Sequence, residues 1–177
     1  MKVFLSMFIG CYLIASIAWG EERRPVIVHI TLPSDWSIVE SNTQSKQENK
    51  GKTTYIAKLD DQDLFEAHKE RTLSVFAIAV SPNDGDAKSP AEFQKQTKFE
   101  ENTKPIKDVY EMKIAGEQFA VSETKTTLQK YETIEKNYVA FKGPWVVEAM
   151  VVCTPRESCV NFDEVLSKVE LGPKEQE

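Results

Sequence analysis

The sequence predicts an α+β domain: an antiparallel β-sheet of about six strands with helices packed on it, similar to an α/β/α sandwich. Three observations point there. Apolar runs with strand character are joined by short turn signals. A capped helix begins at Ser89, inside the strand-rich stretch. A second capped apolar stripe closes the chain between Asn161 and Val169.

In order, residues 1–20 read as a signal peptide and residues 21–177 as a single globular domain. Lys2 is followed by a nearly unbroken apolar run from Val3 to Trp19, then Ala18-Trp19-Gly20 offers a small-x-small exit before Glu21-Glu22. That order predicts cleavage after Gly20 and a periplasmic or secreted product. Two alternatives stand beside it: a lipoprotein anchored through Cys11, and an uncleaved anchor. The membrane is a partner only in those two cases.

Pro25 to Leu32 places Val26, Val28 and Ile30 on one face of a strand, and Pro33-Ser34-Asp35 turns the chain into an extended Trp36–Glu40. Ser41 to Lys52 has no large apolar side chain to offset its ordering cost, so a mobile loop is expected. Thr53–Lys58 reads as a short strand. Asp60–Arg71, anchored by Leu64 and Phe65, reads as a helical turn or wide connection. Thr72–Val80, apolar on both faces, reads as a central strand.

The turn cluster Ser81–Asp86 precedes a helix capped by Ser89, with Pro90 first, Glu92 third, and an end near Asn102. Strand signals return in Asp108–Ile114, Gln118–Thr126 and Thr133–Phe141. Gly143-Pro144 joins the last of these to Trp145–Val152 as a hairpin. The final helix has Asn161 as N-cap and Glu164 three residues on. Its stripe is Phe162, Val165, Leu166 and Val169, and Gly172-Pro173 stops it.

The order of parts resembles the PsbP-like superfamily, which includes bacterial envelope proteins of the DcrB type. The likeness spans Val26 to Val169. It rests on the Ile30-Thr31-Leu32-Pro33-x-x-Trp36 opening, the apolar Leu73–Val80 strand leading to a helix with Phe93, the Lys113–Ala120 strand turn, the long hairpin and the closing helix. The resemblance implies a sheet sandwiched by helices and mostly non-enzymatic binding or assembly roles. It carries no functional residue across.

Loss of residues 1–20 removes Lys2 and leaves 21 basic against 28 acidic residues. That balance argues against nucleic acid, whose phosphates need clustered Lys and Arg. It also leaves Cys153 and Cys159, an even pair whose export context predicts a disulfide. No cofactor, metal or catalytic residue is expected. The chain lacks a Gly-x-Ser-x-Gly elbow, a glycine-rich phosphate loop and an EF-hand loop. His29 and His68 read as structural or solvated. Asp60–Asp63 and Asn83–Asp86 read as turns.

The expected function is therefore an exported, non-enzymatic domain that binds an envelope or extracellular protein or assists an assembly, acting as a monomer. The alternative is a small-ligand or lipid-binding module with a pocket between sheet and C-terminal helix, near Trp36, Trp145 and Phe162. The charged tip Thr154–Ser158 between the cysteines is the first place to look for a contact surface.

Overall fold

The structure, a computed structural model, describes residues 24–40, 43–61, 63–85, 87–96, 102–128, 131–155 and 159–173. Its elements in chain order are β1 (Val26–Pro33), β2 (Trp36–Glu40), β3 (Thr43–Asn49), β4 (Lys52–Leu59), β5 (Leu64–Lys69), β6 (Val75–Pro82), α1 (Pro90–Gln96), β7 (Thr103–Ile114), β8 (Glu117–Leu128), β9 (Tyr131–Lys142), β10 (Trp145–Cys153), α2 (Phe162–Val165) and β11 (Leu166–Leu171). The signal segment and the tip residues 156–158 lie outside the described residues.

The predicted helix-packed α+β sheet is not what the chain forms. Two antiparallel sheets take up most of it, one of four strands in the order β11-β1-β4-β3 and one of seven in the order β2-β5-β6-β10-β9-β8-β7. The inner faces of both sheets meet in one core. Val26, Val28, Ile30 and Leu32 of β1 and Tyr55, Ala57 and Leu59 of β4 share it with Phe76 and Ile78 of β6, Phe119 and Val121 of β8, and Trp145, Val147 and Val151 of β10. Rings from opposite sheets touch, as between Tyr55 and Phe65 at 5.6 Å. Each sheet buries one face because successive side chains alternate. On β1 the pattern is strict, with His29 and Thr31 pointing away from the core.

Two strands, β3 and β11, account for the second sheet. The expected mobile loop is β3, paired along β4 from Thr43↔Ala57 to Asn49↔Lys52. Its polar side chains bury nothing. What orders it is backbone pairing with an open strand edge, set by a tight turn in which Lys50 and Gly51 both take positive φ, +46° and +75°. The expected closing helix stops after four residues, and the chain continues as β11, pairing antiparallel with β1 from Ile30↔Leu166 to Val26↔Leu171. The stripe Phe162, Val165, Leu166 and Val169 does face the core. Its burial is shared between one helical turn and a strand, because β1 would otherwise present an unpaired backbone edge.

Other elements follow the pattern or extend it. Asp60–Arg71 contains β5 rather than a helical turn, with Phe65 and Ala67 in the core. The Gly143-Pro144 turn joins β9 and β10 in the register Lys142↔Trp145. Gly143 has φ +59°, a conformation that favours glycine, and a Cβ there would stand 3.1 Å from Leu171 Cδ1, so that side chain would have to shift by a few tenths of an ångström. At α1, the Glu92 N–H donates to Ser89 Oγ at 3.2 Å and the Lys88 N–H donates to Glu92 Oε2 at 2.8 Å.

α1 packs on the outer face of the seven-stranded sheet, away from the core. Its Gln94 is buried, donates to Asn137 O at 2.9 Å and accepts from Ser122 Oγ at 3.0 Å. Phe93 meets Phe141 edge-on at 6.4 Å. Cys153, at the end of β10, and Cys159, before α2, stand at disulfide distance, with Cα atoms 5.2 Å apart. The indole N–H of Trp145 donates to Arg24 O at 2.7 Å and ties the start of β1 to the β9–β10 hairpin.

Candidate functional site

The aromatic residues expected near a pocket are placed in the core. Trp145 and Phe162 are fully buried and Trp36 nearly so. Phe162 fills the space between α2 and the seven-stranded sheet. Its ring lies 4.3 Å from that of Tyr138, 5.4 Å from Phe119 and 6.0 Å from Phe76. These side chains act together as packing.

A different constellation gathers where the core ends. The inner face of β8 carries Phe119 and Val121, then Glu123, Lys125 and Thr127 at the same parity. The inner face of β9 carries Tyr138, then Lys136, Ile134 and Glu132 going outward. Register brings these together: Val121↔Tyr138, Glu123↔Lys136 and Lys125↔Ile134 on β8–β9, and Tyr110↔Val121 and Lys104↔Lys125 on β7–β8. Among the described residues, no core residue lies on this face beyond Val121 and Tyr138.

The first part of the site centres on Glu123. Tyr110 OH donates to Glu123 Oε1 at 2.6 Å, and Lys136 Nζ stands 3.8 Å from the same oxygen. Lys107 Nζ lies 3.8 Å over the Tyr110 ring. Burial, then the hydrogen bond to Glu123, pushes the Tyr110 phenol up to about 12. Burial raises the Tyr138 phenol further, with the negative charges of Glu123 and Asp163 adding to it. Both phenols therefore remain protonated donors at any physiological pH.

The second part lies further out. Asn102, Lys104, Lys125, Thr127 and Glu132 line a surface depression of about 310 Å³. Lys125 Nζ and Glu132 Oε1 pair at 2.6 Å. Lys104 faces Lys125 directly across the strands and has no ion-pair partner among the described residues. Like charges so placed oppose each other, a local cost that the fold retains.

This arrangement offers hydrogen-bond donors and acceptors and, among the described residues, two lysines with no ion-pair partner, Lys104 and Lys107, the latter held over the Tyr110 ring. Among the described residues, no group of three or more His, Cys, Asp or Glu side chains is placed to hold a metal ion. His68 Nε2 meets Glu66 Oε1 at 2.5 Å on the outer face of β5, and His29 Nε2 stands 3.5 Å from Glu170. No sequence motif marks Tyr110, Glu123 and Lys136. The signal that could have found them is parity: charged residues continue the core-facing positions of three successive strands.

The fold and site define an antiparallel two-sheet β domain with a polar, partly basic extension of its inner face. No known protein family matches the sequence, and no curated protein matches it. Among solved structures, the chain is similar to PA94, a protein of unknown function from Pseudomonas aeruginosa proposed to be a regulator. Identity is 15%, the match covers 63% of this chain and 83% of that one, and the TM-score is 0.41. At that score the likeness carries no argument.

Proposed function

We propose that the chain is an exported, non-enzymatic domain that binds a partner or assists an assembly through the inner face of β7–β9 beyond the core. The observation that carries this reading is the charged face itself. Glu123 pairs with its cross-strand partner Lys136 beside Tyr110, and Lys125 pairs diagonally with Glu132 further out, on a sheet surface that the second sheet leaves uncovered among the described residues. Export is supported by the Cys153–Cys159 pair and by the Lys2, apolar run and Ala18-Trp19-Gly20 order of the first residues. No helix among the described residues is long and apolar enough to cross a membrane.

In the native host, the protein should be recovered outside the cytoplasm, beginning at Glu21, with both cysteines oxidised. Lys136→Glu reverses one charge of the face and should lose the partner that the wild-type chain captures, with its thermal unfolding little changed. A cytoplasmic protein that retains residues 1–20, or undiminished capture by a folded Lys136→Glu variant, overturns the reading.

A further inference from the structure

We infer that two copies of this chain pair through β3, antiparallel about Gln47, to form a weak dimer with one sheet running through both. β3 is an edge of the four-stranded sheet, and among the described residues no strand pairs along its far side. Its side chains from Gln44 to Asn49 are exposed and bury nothing in their own chain. Such an edge presents unpaired N–H and C=O groups to another strand.

Among the described residues the two sheets have three other edges, and each is interrupted. β2 has five residues and a register shift between Ile38 and Glu40. β7 contains Pro105 and shifts register between Pro105 and Lys107 and again between Lys107 and Tyr110. β11 loses register where Ser167 falls between the pairs His29↔Lys168 and Ile30↔Leu166. Bulges and prolines of this kind keep edges from pairing. In β3 the shift comes at the start, between Thr43 and Ser45, and Ser45 to Asn49 then run in unbroken register with Ile56 to Lys52.

Charge selects the occupant. Lys46 and Glu48 share one face of β3, opposite Tyr55 and Thr53, and pair with each other along the strand at 2.8 Å. Ser45 to Asn49 therefore carry no net charge, and Lys46 does not guard the edge as a lone lysine would. When two identical strands meet antiparallel with Gln47 at the centre, Lys46 of each copy stands opposite Glu48 of the other. Ser45 stands opposite Asn49 and Gln47 opposite itself, all side chains that both donate and accept. Moving the centre one residue either way sets Lys46 against Lys46 or Glu48 against Glu48, which is unfavourable. One register is singled out, and it is its own complement, as a two-fold interface requires. The contact is a short polar strand on each side, well below the standard interface size. Association is therefore weak, and the monomer expected from the sequence is the form in dilute solution.

The test is sedimentation equilibrium of the exported, disulfide-bonded chain at low ionic strength, where exposed ion pairs are least screened. The wild type should show a reversible monomer–dimer equilibrium at millimolar concentration or below. Lys46→Glu alone and Glu48→Lys alone should each weaken it about tenfold or more, because each sets like charges opposite one another on both sides of the axis. An equimolar mixture of these two variants should associate again as a heterodimer, since every cross-strand pair is then opposite in sign. The double exchange Lys46→Glu with Glu48→Lys should recover the homodimer. Both positions are exposed, so each variant should keep the wild-type circular dichroism.

A chain that stays monomeric throughout that range, single variants that associate as the wild type does, or a mixture no tighter than its components overturns the inference. So does a crosslink from position 47 that reaches only a different protein. Lys136→Glu should leave the dimer unchanged. Loss of the dimer in that variant would move the contact to β7–β9 and overturn the β3 interface.

Discussion

Phe162 and Glu148 show how single residues set the stability of this fold. Phe162 touches three other rings and is almost wholly buried at the junction of α2 and the seven-stranded sheet. Phe162→Ala should cost about 3–5 kcal/mol, read as a lower denaturant midpoint with an unchanged slope. Glu148 sits on the outer face of β10, half-buried, with Ser81 Oγ donating to it at 3.4 Å. Burial pushes its carboxyl above the usual range, and the Ser81 bond only partly counters this. The protonated form is therefore favoured in the folded state. Its contribution is complete below the carboxyl's unfolded value and is lost as pH rises through the folded one. Glu148→Gln should accordingly stabilise the protein at pH 7, on the order of 1 kcal/mol. The gain should shrink toward zero as pH falls below the ordinary carboxylate range, measured as unfolding midpoints against pH.

At the scale of elements, the hairpin β3–β4 and the strand β11 carry the lesson. β3 is held by main-chain pairing and by a turn whose two residues both take positive φ. Gly51→Ala places a Cβ in open space, so its penalty is conformational alone. It should cost about 1–2 kcal/mol, and hydrogen exchange should quicken at β3 amides before those of β1. Neither strand was legible in the sequence, for physical reasons. Ser45, Gln47 and Asn49 have no apolar pattern, because an exposed edge strand draws on backbone pairing. Phe162, Val165, Leu166 and Val169 fit a helical stripe, yet the backbone of β1 offered Leu166 to Leu171 a better set of hydrogen-bond partners. By contrast, the alternation of Val26, Val28 and Ile30, the Gly143-Pro144 hairpin and the Ser89 cap were legible because each is a local signal with a local cause.

At the scale of the whole molecule, two sheets close one core, and the longer strands of the larger sheet carry its inner face beyond that core. The site arises from this mismatch. Tyr110, Glu123 and Lys136 are far apart in sequence and meet only through the register of β7, β8 and β9, so no spacing motif announced them. Trp36, Trp145 and Phe162 attracted notice as large aromatic residues, and those properties put them in the core instead. The Cys153–Cys159 link closes a short loop between β10 and α2. Its removal by a double Cys→Ser exchange should cost about 2 kcal/mol, leaving a folded sandwich with a lower unfolding temperature.

The central claim is that the uncovered inner face of β7–β9 is where an extracytoplasmic partner meets this domain. A photo-crosslinking residue placed at position 104 in the native host tests it, with Gln47 on the exposed β3 edge as the comparison site. The account predicts an adduct outside the cytoplasm from position 104, lost when Lys136→Glu is added, and from position 47 none with any protein but a second copy of the chain. An adduct with another protein from position 47 alone, or none from position 104 in the correctly exported protein, would contradict it.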